Sequence, residues 1–193
     1  LVDSVAGAIA GRGLAVHRLL HPIVPITRDS KGRLTEVGEG SPESIIYIEL
    51  DRADARGRHE LVRDLANVLP DVRAADGDWR EMLGEMKADA DTLDRRDPEG
   101  AALLRWLAKN NFTLLGHAEV AKDGSIRKPL GILRQDVALW DEEAAHAAID
   151  HLSDEARAVL FLKADRISPV QRRVPLDVAM VKRPDGRVAL DTR

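Results

Sequence analysis

The hydrophobic positions of the chain change period several times, and each change marks an element. Val2, Val5, Ala6, Ile9 and Ala10 recur at helical spacing, which predicts a helix from Leu1 to Arg12 that is closed by Gly11 and Gly13. A β-rich stretch follows from Leu14 to Thr27. Pro22 and Pro25 cannot donate to a ladder, so this stretch is expected at a sheet edge or a bulge. Asp29-Ser30-Lys31-Gly32 reads as a turn, Leu34 to Val37 as a short strand and Gly38 to Glu43 as a loop. Ser44 to Leu50 (SIIYIEL) is apolar on both faces and predicts a central, doubly covered strand.

Helical spacing returns at Arg58–Leu69, with Leu61, Leu65, Val68 and Leu69 on one face, and Pro70 is expected to interrupt it. A second helix is expected from about Val72 to Leu93, its stripe formed by Trp79, Met82, Leu83 and Met86 and read as core. Asp97-Pro98-Glu99 is a helix start, an N-cap acid followed by Pro at the first helical position. That helix runs to Lys109, burying Leu103, Leu104, Trp106 and Leu107, and Asn110-Asn111 breaks it.

Phe112–Val120 and Ile126–Arg134 read as extended segments around a turn at Lys122–Ser125. Asp141–Asp150 reads as an Ala-rich helix, Ser153–Val159 as a shorter one capped by Ser153, and Leu160–Ala164 as a strand. Pro175–Lys182 alternates, with Leu176, Val178 and Met180 on one face, and turns back at Pro184-Asp185-Gly186 into Val188–Leu190.

These elements predict an α+β fold with an antiparallel sheet backed by helices, a helical connector and the start of a second α+β module. The expected divisions are residues 1–70, 71–110 and 111–193. The first resembles a ferredoxin-like layout without its first strand. Leu1 already reads as helix and Val188–Arg193 as a strand just begun, so the chain is expected to start and stop inside a longer polypeptide. A missing first strand would leave an exposed sheet edge with unpaired backbone groups.

Composition narrows the function classes. The chain has 193 residues, is 44% hydrophobic and 32% charged, and has only 3% aromatics, so its core must be built from Leu, Ile, Val and Ala. A net charge of −4, with both signs mixed along the chain, argues against nucleic acid as a partner. The lack of cysteine rules out disulfides and thiolate metal sites and fits a cytoplasmic location. No apolar run approaches the roughly 20 residues of a membrane helix.

No catalytic, cofactor-binding or metal-ligating residue can be assigned from spacing. His17 and His21 lie four apart on a strand, too far for one ion, and His146 and His151 lie five apart on a helix and face differently. His59 and His117 stand alone, and all six histidines read as structural. Asp89/Asp91/Asp94 reads as a solvated helix end, and Asp141/Glu142/Glu143 as acids favoured at a helix N-terminus. Gly7, Gly11 and Gly13 follow a helix and precede a strand, the reverse of a dinucleotide fingerprint.

Five segments together carry a resemblance. They are HPIVPITRDSKGRLTEV (21–37) with SIIYIELDR (44–52), VRAADGDWREMLGEM (72–86), LLRWLAKNNFTLLGHAEV (103–120), LGILR (130–134) and KADRISPVQRRVPLDVAMVKR (163–183). In order and spacing the chain resembles the N-terminal region of the large bacterial NAD-dependent glutamate dehydrogenases. It departs from that pattern at His117, where the family has an aromatic, and at Gln171, where it has His. The resemblance implies an ACT-like regulatory or scaffolding segment of a cytoplasmic, homo-oligomeric enzyme of amino-acid catabolism. That enzyme converts L-glutamate, NAD and water to 2-oxoglutarate, ammonia and NADH. It further implies that NAD and the catalytic residues belong to a domain outside this chain, that the partners are other domains of the same polypeptide, and that an amino acid is a possible effector. The alternative is an independent ACT-like sensing or interaction module with no enzymatic role.

Overall fold

A computed structural model describes residues 1–154 and 157–193, the side chain of residue 154 excepted. The fold is α+β, and the chain forms two compact units, Leu1–Ala66 and Asn67–Arg193.

The first unit opens with helix α1 (Val2–Ala10), which buries Val5 and Ile9 of the expected face together with Ala8, while Val2 and Ala6 are half-buried and Ala10 is exposed. The left-handed residue after it is Gly13 (φ +70°), whereas Gly11 is still helical. The long β-rich stretch splits into two strands, β1 (Val16–Leu20) and β2 (Ile23–Arg28), which join different sheets. Strand β3 (Leu34–Val37) and strand β4 (Ser41–Ser44) flank β2, and β5 (Tyr47–Leu50) pairs antiparallel with β1.

Three readings of this region are corrected. Pro25 lies in the middle strand of a sheet, not at an edge. Its carbonyl accepts from the Gly38 amide at 2.8 Å on the β3 side, where β3 has already ended at Val37. The proline nitrogen faces that same side, so its missing N–H forfeits only a return bond to Gly38, beyond the end of β3, and leaves the ladder to β4 untouched. The expected loop Gly38–Glu43 contains the first residues of β4. The SIIYIEL strand is shorter than expected and half-exposed, because β5 has a single partner strand and Ile45 and Ile46 belong to the connection that leads into it.

Helix α2 (Ala55–Leu93) is continuous through Pro70, which corrects the expected break. Pro70 removes one amide, leaving the Ala66 carbonyl without its i→i+4 donor, and the turns on either side continue. Arg12, just beyond α1, bridges Glu60 and Asp64 on the first turns of α2, each at 2.6 Å.

The second unit is a five-stranded antiparallel sheet in the order β7-β6-β10-β9-β8. Its strands are β6 (Gly116–Val120), β7 (Ile126–Gly131), β8 (Val159–Ile167), β9 (Pro175–Lys182) and β10 (Val188–Thr192). The predicted β9–β10 hairpin is present, with Val188 opposite Lys182 and Gly186 at φ +81°. Strand β10 is central, and all five of its residues are buried.

Both faces of this sheet are covered. On one, Leu176, Val178, Met180 and Leu190 pack with Leu133, Leu139 and Leu152 of helix α4 (Glu142–Asp154). On the other, Val181 and Ala189 pack with Met86, Ala90 and Leu93 of α2 and with Ala101 and Leu104 of α3 (Pro98–Trp106). The buried stripe of α2 is therefore Met82, Met86, Ala90 and Leu93. Trp79 is exposed beneath the Arg80 guanidinium, 5.2 Å from the ring centre. On α3 the buried face is Ala101, Leu104 and then Leu107, whereas Leu103 and Trp106 are exposed, since a three-residue step keeps one face toward the sheet.

The expected strand Phe112–Val120 begins only at Gly116, and Asn110 breaks the preceding helix at φ +65°. Ser153 caps no second helix: it lies in the last turn of α4 and its hydroxyl donates back to the Ile149 carbonyl at 2.8 Å. Val159, the expected end of that second helix, already belongs to β8, and residues 155 and 156 of that reading lie outside the described residues.

Candidate functional site

The feature of the second unit that packing alone does not explain is a buried cluster of charges between α2 and the sheet. Strand alternation builds half of it. His117 and Glu119 are two apart on β6 and share a face, and Asp191 of β10 stands in register opposite His117. Helical spacing builds the other half, since Glu85 and Asp89 are four apart on α2. The cations come from the β9–β10 hairpin, as Arg183 and Arg187, and from β7, as Lys128.

Arg183 organises the cluster. It grips Asp89 with two parallel bonds (2.6 and 2.9 Å) and also reaches Glu119 (2.5 Å) and Glu85 (3.1 Å). Arg187 bonds the second oxygen of Glu119 and also Asp185. Lys128 reaches Glu85 at 2.5 Å. It does so from a bulge: Lys128 and Pro129 together oppose Ala118, and Lys128 takes φ +49°, a left-handed conformation that is costly for a residue with a side chain. His117 and Asp191 are completely buried and joined at 2.8 Å between Nδ1 and Oδ1. Their other polar atoms, His117 Nε2 and Asp191 Oδ2, have no hydrogen-bond partner among the described residues.

The electrostatics follow from this geometry. Burial pushes the Asp89 carboxyl above the usual range even though Arg183 opposes it. Glu85 is less buried. Against its desolvation, the hydrogen bonds from Lys128 and Arg183 hold its carboxyl below the usual range. The Arg183 guanidinium, although desolvated, is raised by Asp89 and Glu119 and stays charged.

Sequence reading of the other candidates fares unevenly. His17 bonds the exposed Asp51 at 2.8 Å, and His59 the Ala55 carbonyl at 2.7 Å. His146 lines an apolar cleft of about 160 Å³ with Trp140, Ile149, Met180 and Leu190. Asp141 caps α4 through the Ala144 amide, as the helix-start reading requires. Of the acids read as a solvated helix end, Asp91 and Asp94 are exposed and pair with Arg105, but Asp89 is buried on Arg183. The reading of Asp89 as part of a solvated helix end is thus corrected, and Glu119 and Asp191, which the spacing did not single out, are buried beside it. The signal was there: an acid alternates into each of two otherwise apolar strands, GHAEV and VALDT.

Among the described residues, Glu85, His117 and Glu119 are the one group whose ligand atoms could share a metal ion, each within 4.8 Å of the others. No described helix is long and apolar enough to cross a membrane.

Comparison with known proteins gives this geometry a context. The family described as glutamate dehydrogenase, ACT1 domain, matches residues 1–65. The chain is 28% identical over 224 residues to the NAD-specific glutamate dehydrogenase of Halomonas elongata, an alignment that covers all of the chain and 14% of the relative. It is 28% identical over 219 residues to that of Pseudomonas aeruginosa, covering 97% of the chain and 13% of the relative. It is 32% identical over 158 residues to that of Mycobacterium tuberculosis, covering 69% of the chain and 10% of the relative. The chain therefore spans between a tenth and a seventh of the length of these relatives. It belongs to the family of NAD-specific glutamate dehydrogenases, and its residues 1–65 are the ACT1 domain of that family.

Proposed function

We propose that this chain is a non-catalytic regulatory and scaffolding segment of an NAD-dependent glutamate dehydrogenase, in which another domain oxidises L-glutamate to 2-oxoglutarate and ammonia and reduces NAD. The observation that carries the proposal is the ACT1 match at residues 1–65 within a chain that aligns from end to end with a relative seven times its length. The chain's own architecture supports it. The glycines at 11 and 13 stand between a helix and a strand in the wrong order for a dinucleotide loop, and the charged cluster is locked in ion pairs under α2 rather than opened to a substrate. On this reading NAD is held by the enzyme's other domains, the segment's partners are those domains, the enzyme is a cytoplasmic homo-oligomer, and an amino acid is the natural effector of the ACT-like unit.

The test compares a full-length relative with a version lacking the region that corresponds to residues 1–65. The truncated enzyme is expected to keep glutamate-dependent NADH formation and to change in its response to amino acids or in its assembly. Loss of the chemistry in a truncated enzyme that still folds, or an unchanged response and assembly, would overturn the proposal.

A further inference from the structure

We propose that Glu85, His117 and Glu119 form a binding site for one divalent first-row transition metal ion, of which zinc is the probe of choice, and that Lys128 competes with the ion for the same carboxylates.

Charge balance is the first argument. The buried cluster holds four acids, Glu85, Asp89, Glu119 and Asp191, and three permanent cations, Arg183, Arg187 and Lys128. With His117 neutral it stands at −1, an unbalanced charge in a region where Asp89, Glu119 and Asp191 are all at least 96% removed from solvent. Asp185 and Glu81, at the rim, are about half exposed and screened. A divalent ion in place of the Lys128 ammonium brings the total to zero with His117 neutral, the form in which imidazole ligates metals.

The histidine is the second argument. His117 is completely buried, and Asp191 holds its Nδ1 at 2.8 Å, leaving Nε2 without a partner among the described residues. A carboxylate on one ring nitrogen fixes the tautomer that presents the other nitrogen to a metal, and this is the usual outer support of a metal-bound histidine.

Reach is the third. The three donor atoms lie within 4.8 Å of one another, while bonds to zinc of about 2.0–2.2 Å require donors somewhat closer together. Glu85 can close that distance once Lys128 leaves, since its side chain is 19% exposed and lies at the open side of the cluster. Glu119 can keep both arginines, because a carboxylate offers about four lone-pair directions. The ammonium that must leave is on a flexible, 39% exposed side chain. Hard oxygen-only ions are disfavoured by the imidazole, and the lack of cysteine leaves no thiolate competitor.

The experiment is calorimetric titration of the untagged chain with zinc chloride, in the native sequence and as His117→Gln, Asp191→Asn and Lys128→Met, each checked for folding by circular dichroism. The native chain is expected to bind one ion. Asp191→Asn should weaken binding by about 10–100-fold, the usual effect of losing a metal ligand's supporting partner. His117→Gln should weaken it at least as much, and Lys128→Met should tighten it by removing the competitor. No saturable site in the native chain overturns the proposal, as does equal binding by a folded His117→Gln, which would assign the ion to surface histidines. If the two core variants fail to fold, Lys128→Met decides alone: tighter binding supports the site, and unchanged or weaker binding overturns it. Neither glutamate nor NAD enters this assay, so its outcome is independent of the regulatory role proposed above.

Discussion

Asp97 shows how one side chain can fasten two elements. Its Oδ1 accepts the Gly100 amide at the start of α3, and its Oδ2 accepts the Ala158 amide leading into β8. Although burial opposes ionisation, the amides of Ala158 and Gly100 hold the carboxyl below the usual range. A lowered carboxylate value stabilises the fold fully above the unfolded value, and that stabilisation is lost as pH falls through the folded one. Asp97→Asn can still cap Gly100 but turns a donor toward Ala158, so it should cost about 1–3 kcal/mol at neutral pH. The deficit should shrink as the native chain is taken below about pH 4, the ordinary carboxylate range. Thermal melts of both proteins across pH check this, and a deficit that grows on acidification would contradict it. The cap was legible in Asp-Pro-Glu, because capping is local chemistry. The bond to Ala158 was not, since it joins residues 61 apart. A longer separation, 74 residues, hid the pairing of His117 with Asp191.

At the scale of elements, Pro70 separates a local reading from the observed helix. Proline costs a helix interior about 3 kcal/mol relative to alanine, yet α2 runs through it. Pro70→Ala should therefore stabilise the protein by about 1–3 kcal/mol, which in a chain of this size raises the melting temperature by roughly 2–4 °C per kcal/mol. A loss of stability would mean that the chain breaks at Pro70. Propensity misread this site because the stripe Met82, Met86, Ala90 and Leu93, all fully buried, anchors the helix through packing. The strands divide in the same way. Ile45 is about half exposed (48%), so Ile45→Asp should cost under about 1 kcal/mol. Val178 is completely buried between sheet and helix, so Val178→Asp should unfold the second unit at ambient temperature. Urea denaturation of the two variants decides, and equal losses would contradict the assigned burial. Alternation in PLDVAMVK revealed the Val178 face because that strand has a covered sheet face to meet. SIIYIEL looked equally apolar, but its burial depends on neighbours that its own residues do not specify. Gly131 adds a sharper case. It sits at φ +59°, where a Cβ would stand 2.1 Å from the Leu115 carbonyl oxygen, so Gly131→Ala should be among the most destabilising single changes in the chain.

For the whole molecule, the α+β class was readable from alternating strand and helix periods, and the family from five segments that are weak singly and specific in order. The partition of the first unit's strands between a two-stranded and a three-stranded sheet was not readable, because pairing partners are chosen by contacts distant in sequence. Neither was the charged cluster, which draws on α2, β6, β7, the β9–β10 hairpin and β10 at once. On the function proposed above, this chain serves the enzyme without performing its chemistry. The most direct test is to incubate the purified chain with L-glutamate and NAD and follow NADH absorbance. No NADH formation above that of a heat-denatured control is expected, whereas turnover that copurifies with the chain through successive columns would contradict the proposed function.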